Sequence, residues 1–95
     1  MNRNKNKDNI EIAMISENLY KAKNATDICN FLLELLTASE VETLSKRWRI
    51  LNMLVDGKTQ REIAQDLKVS LCKVTRGARI LKNNKSVIKK CLIKE

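Results

Sequence analysis

The sequence predicts an all-α fold of about six helices, and three observations carry that reading. The 95 residues contain no proline and only two glycines, so little breaks a helix. The composition is rich in Leu, Ile, Lys, Glu and Asn, and β-branched runs are few. Apolar residues recur at spacings of three and four in successive stretches, most of them preceded by capping residues.

The elements follow in order. The N-terminal MNRNKNKDN is basic and has no apolar core behind it, so residues 1–9 are expected to be a disordered tail rather than a signal peptide. Ile10, Ala13, Met14, Leu19 and Tyr20 place a helix at about 10–22. Asn24 to Asp27 offer caps for a second helix. Its residues Ile28, Cys29, Phe31, Leu32, Leu33, Leu35 and Leu36 make it apolar nearly all round. A helix of that kind must be covered on most sides, which in so short a chain points to a dimer. Thr37-x-x-Glu40 and Ser39-x-x-Glu42 are overlapping capping boxes for a third helix. Its stripe is Val41, Leu44, Trp48, Leu51 and Val55, and Gly57 stands at its end. Trp48, in mid-stripe, is expected to be core or dimer seam rather than a ligand platform.

Thr59-Gln60-Arg61-Glu62 is another capping box, opening a short helix at about 60–67. Ser70 caps the next, whose apolar positions are Leu71, Val74, Ala78 and Leu81 and whose other side carries Lys73, Thr75, Arg76 and Arg79. Val87, Ile88, Cys91 and Leu92 make a last short helix. No internal repeat or flexible linker is evident, and residues 10–95 read as a single domain. A domain of this length buries roughly 60–65% of its unfolded surface, so a second copy would supply missing core.

Charge is distributed unevenly. Residues 1–56 carry eight basic and eight acidic side chains, whereas residues 57–95 carry eleven basic and three acidic. The whole excess of +8 therefore lies in the C-terminal part, the footprint of a polyanion binder. The cysteines Cys29, Cys72 and Cys91 are odd in number and not in CxxC spacing, and there is no histidine. Reduced thiols in the cytoplasm are expected, with no metal site, no cofactor and no membrane span. Without histidine, a clustered acid pair or a Gly-rich phosphate loop, the usual enzyme constellations are missing.

Residues 59–82 have the parts of a helix-turn-helix. Ala64 is small where the second helix would cross, Lys68-Val69 form a short joint, and Leu67, Leu71 and Val74 are expected to lock the corner. The second helix would face double-stranded DNA. Ser70 and the free backbone N–H groups behind it suit a phosphate, as do Lys73, Thr75 and Arg76. Leu71 and Cys72 suit shape and methyl contacts, and Arg61 can reach a guanine from the first helix. Arg79 lies on the same basic side. A basic helical module that docks acidic protein is the alternative from another class.

The pieces TLSKRWRILNMLVDG, TQREIA and VTRGARILK, with LLT before them, resemble the tryptophan repressor family over about residues 27–82. That resemblance implies six helices in an intertwined homodimer, and a transcriptional repressor that binds operator DNA with L-tryptophan, or a similar aromatic amino acid, as corepressor. It implies that Arg47 and Arg76 flank the indole ring, with Arg76 also pairing the carboxylate. Leu36 and Thr37 would receive the amino group through their carbonyls, and Gly77 would let the ring approach. Gln60 and Arg61 would contact DNA from the first helix, and Leu71, Cys72, Lys73 and Thr75 from the second.

The chain departs from the family at several positions. Ile80 stands where the family has a serine that helps hold the amino group, removing a hydrogen bond whose loss costs about 1 kcal/mol. Glu34 replaces an apolar residue opposite the pocket, Ala64 replaces a lysine that helps read bases, and one residue is missing between Gly57 and Thr59. A ligand-independent regulator with a degenerate pocket is the second reading that these departures leave open.

Overall fold

A computed structural model of the chain describes residues 9–93. It contains α1 (Asn9–Tyr20), α2 (Ala25–Leu35), α3 (Ala38–Val55), α4 (Gln60–Leu67), α5 (Leu71–Lys82) and α6 (Val87–Leu92), with no strand among the described residues. The expected basic tail lies outside these residues except at its end, where Asn9 opens α1 rather than closing a tail. The chain divides into two compact units, Met1–Ala38 and Ser39–Glu95, and each is described in its own terms.

The first unit holds α1 and α2. Asn24 caps α2 by accepting from the Asp27 backbone N–H at 2.8 Å, which satisfies one of the donors a helix start leaves over. The Leu36 backbone N–H closes the far end on the Leu32 carbonyl at 2.9 Å. No residue of α1 or α2 is buried, and Leu33 and Leu35 are more than half exposed. Ile28, Phe31 and Leu32 are half-buried, so only part of this largely apolar helix is covered.

The second unit is built on α3. Its start at Ala38 puts Thr37 at the position before the helix and Ser39 inside the first turn. Only the first of the two overlapping boxes can therefore cap it, and Glu42 pairs instead with Lys46 one turn on, at 3.8 Å. The far end is a Schellman close: Gly57, at φ +93°, donates its N–H to Leu54 at 3.0 Å, and Lys58 donates to Met53 at 3.1 Å.

The capping box at α4 forms in full. The Glu62 N–H donates to Thr59 Oγ1 at 3.1 Å, and the Thr59 N–H donates to Glu62 Oε1 at 2.9 Å. The Thr59 backbone N–H, and after it the Thr59 side chain, hold the Glu62 carboxyl below its ordinary range, with a smaller contribution from the charge of Lys58. The joint to α5 is a second Schellman close, with Lys68 N–H on Gln65 at 3.4 Å and Val69 N–H on Ala64 at 3.1 Å. Here a lysine takes the left-handed conformation, φ 55°, that usually favours glycine.

The core lies under the corner. Ile63 of α4 and Val74 of α5 are fully buried against Ile50 of α3. Met53, Leu54, Ala64, Leu67 and Val69 pack around them. Leu71, expected to help lock the corner, is 47% exposed. Val69, on the joint, and Ile63 do that work with Leu67, while Leu71, the first residue of α5, shares the face of Val74 but stays largely open. Gly77 is buried where α5 passes over α3: a Cβ there would meet Ile50 Cγ2 at 3.1 Å and Leu54 Cδ1 at 3.4 Å. Trp48 is 48% exposed and so lies outside the core of the chain.

Candidate nucleic-acid interface and ligand cavity

The α4–α5 corner presents an outward surface that follows from helix geometry. At about 100° per residue, Cys72 and Arg79 point away from buried Val74 and half-buried Leu81, with Thr75 and Arg76 to either side. Ser70 caps α5 by accepting from Lys73 N–H at 3.3 Å. The first N–H groups of α5 project from the same end, where a helix start attracts anions. Ser70, Leu71, Cys72, Arg76, Arg79 and Arg61 of α4 are all exposed.

Gln60 and Thr75 are brought together across the corner. Thr75 Oγ1 donates to Gln60 Oε1 at 2.9 Å, partly buried. The bond engages the Gln60 amide oxygen and so leaves its NH₂ group as the remaining donor, and it leaves the Thr75 hydroxyl oxygen able only to accept. Their first role is to join α4 to α5, which the spacing in sequence, fifteen residues apart, did not reveal.

Lys73 sits on a different flank from Cys72 and Arg79. With Arg76 it turns toward α3, where two cavities share Arg47 and Arg76 in their walls. One is wide, about 770 Å³, and mostly apolar, lined by Leu44, Trp48, Leu51, Ile80 and Ile88 besides the arginines. The other is smaller, about 330 Å³, and strongly basic. Between them a slot of about 20 Å³ reaches Gly77 and Ile80. Arg47 and Arg76 are thus brought to the walls of the same cavities. Ile50, Leu51 and Leu54 of α3 stand against Gly77, so its missing side chain also lets α5 pack on α3. Leu36 and Thr37 belong to the other unit, and Glu34 is exposed on α2.

Several cavity residues were missed in the sequence: Ser39, Thr43, Lys46, Lys68, Trp48 and Ile88. A signal existed for part of the set. Ser39, Glu42, Thr43, Lys46 and Arg47 fall at the helical spacing of one face of α3 and form a polar stripe beside the apolar one. The three cysteines are free and exposed. No described helix is long and apolar enough to cross a membrane.

Comparisons with known proteins identify the family. The profile of the family described as Trp repressor protein matches residues 11–95. A Trp operon repressor homolog from Xylella fastidiosa is 46% identical over 63 residues, which span 64% of this chain and 68% of that protein. One from Chlamydia trachomatis serovar D is 39% identical over 61 residues, 63% of this chain and 65% of that protein. No solved structure matches significantly.

Proposed function

Because the chain belongs to the Trp repressor family, a family of regulators rather than enzymes, we propose that it is a sequence-specific, dimeric DNA-binding repressor whose affinity is set by an aromatic amino acid such as L-tryptophan. One observation carries the gating: Arg47 of α3 and Arg76 of α5 line the same wide apolar cavity. Guanidinium planes stack on aromatic rings and fork onto carboxylates. A ring seated there ties the reading helix to α3 and so sets the attitude of the α4–α5 corner.

The ligand acts only through its preference for the DNA-competent arrangement. In that arrangement the two corners of a dimer stand roughly 34 Å apart and enter successive major grooves. Arg61, the Gln60 amide, Ser70, Leu71, Cys72, Thr75, Arg76 and Arg79 form the DNA-facing set, with Lys73 at its edge. Support for a second copy comes from the exposed apolar residues Leu44, Trp48 and Val55 of α3 and Leu33 and Leu35 of α2, which a monomer would leave in water.

The test is calorimetry of the full chain with L-tryptophan at millimolar concentration, alongside DNA affinity with and without the amino acid. Saturable heat and tighter DNA binding are expected. Heat of dilution alone, with unchanged affinity, removes the gating. The ligand-independent reading is favoured by a specific pair, since Trp48 and Ile80 both stand in the cavity wall. An indole already supplied by the chain, beside an aliphatic group where an amino group needs a partner, would make DNA binding equal with and without amino acids.

A further inference from the structure

We propose that the smaller cavity, between the first half of α3, the Lys68-Val69 joint and α5, binds the phosphate group of a small phosphate monoester, and that this ligand opposes DNA binding. Its lining carries five cations, Lys46, Arg47, Lys68, Lys73 and Arg76, and a single acid, Glu42. That acid is engaged by Lys46 at 3.8 Å. The excess of positive charge converges from three separate elements into one concave site, where low-dielectric walls strengthen the field.

Ser39 and Thr43 add hydroxyls to the lining, and Ile50 and Val69 add apolar wall. Guanidinium forks and mobile ammonium groups around hydroxyl donors are a recognition set for phosphate oxygens. At about 330 Å³ the volume is at the lower end of small-molecule sites and larger than a phosphate ion needs, which leaves room for a compact organic group against Ile50 and Val69. A zwitterionic amino acid, with no net charge, leaves most of this field uncompensated; a dianion does not.

Lys73 and Arg76 belong to α5 and to the cavity at once. An anion held there neutralises charge that would otherwise meet DNA phosphates. Free anion and DNA therefore compete, and the coupling is reciprocal. The opposition rests on the DNA-binding reading given above, whereas anion binding itself does not.

The experiment titrates the full chain, without DNA and at constant ionic strength, with sodium phosphate and with phenyl phosphate. Saturation at one site per chain is expected, with phenyl phosphate the tighter. Lys46→Gln and Thr43→Val, both on α3, should each weaken phenyl phosphate tenfold or more, while Lys90→Gln, an equal charge change on exposed α6, should alter it less than twofold. In a DNA-binding assay at the same ionic strength, phenyl phosphate should weaken the wild-type affinity at least fivefold and leave Thr43→Val nearly unaffected. Heats of dilution alone, or equal losses in Lys46→Gln and Lys90→Gln, overturn the site. Absence of small-anion binding together with a lower salt slope for DNA in Lys46→Gln assigns the cavity to DNA phosphates instead. Saturable anion binding in a protein that binds no DNA upholds the site and overturns the repressor reading alone.

Discussion

At the scale of single residues, three positions hold chemistry that sets stability. Thr59 and Glu62 satisfy each other's backbone donors. Thr59→Ala should cost about 1 kcal/mol in urea unfolding followed by circular dichroism. Because the folded state holds the Glu62 carboxyl below the ordinary glutamate range, its contribution is present above that range and is lost as pH falls through the lowered value. The stability difference between wild type and Glu62→Gln should therefore shrink on acidification; a difference that grows would contradict the box as the cause. Gly77 is the third. Alanine there regains about 1 kcal/mol of helix propensity but presses on Ile50 Cγ2 at 3.1 Å, so Gly77→Ala should be near neutral. Gly77→Val should lose about 1–3 kcal/mol through overpacking. Equal, mild effects of the two would mean that α3 is not closely seated on α5.

At the scale of elements, the corner between α4 and α5 is held by core, joint and one side-chain bond. Ile63→Ala should cost about 2–5 kcal/mol, since the residue is fully buried. Lys68→Gly should raise stability by about 1 kcal/mol by relieving the left-handed lysine, and both are read from the same unfolding curves. Caps made these helices legible in sequence: Thr59 and Ser70 each stand where the structure places a helix start, whereas the Ser86 cap of α6 was not read. What sequence did not disclose depends on how helices face one another. The side of α5 that Lys73 occupies is decided by where α3 lies, and Gln60 meets Thr75 only once the corner has formed. Leu71 looked like core by spacing, yet spacing cannot tell that the first turn of α5 extends past its neighbours.

At the scale of the whole molecule, the all-α class and the family were legible because composition, caps and the TQRE and TRG pieces agree across levels. Coverage of apolar surface was legible only as a need: Leu33, Leu35, Leu44 and Trp48 are about half exposed, surface that the proposed second copy would cover. Sedimentation equilibrium should return twice the 10.9 kDa chain mass at micromolar concentration, with Trp48→Glu shifting the protein toward monomer. The central claim is that the basic excess of residues 57–95 serves a reader of sequence rather than a general polyanion surface. It is tested most directly by retention of mixed genomic fragments on the full chain at physiological salt with nonspecific competitor DNA, with L-tryptophan and without. The account predicts a few retained fragments sharing a two-fold symmetric site, its half-sites about one helical turn apart, and loss of that selectivity in Arg61→Ala. Uniform retention of all fragments that vanishes together as salt rises would contradict it.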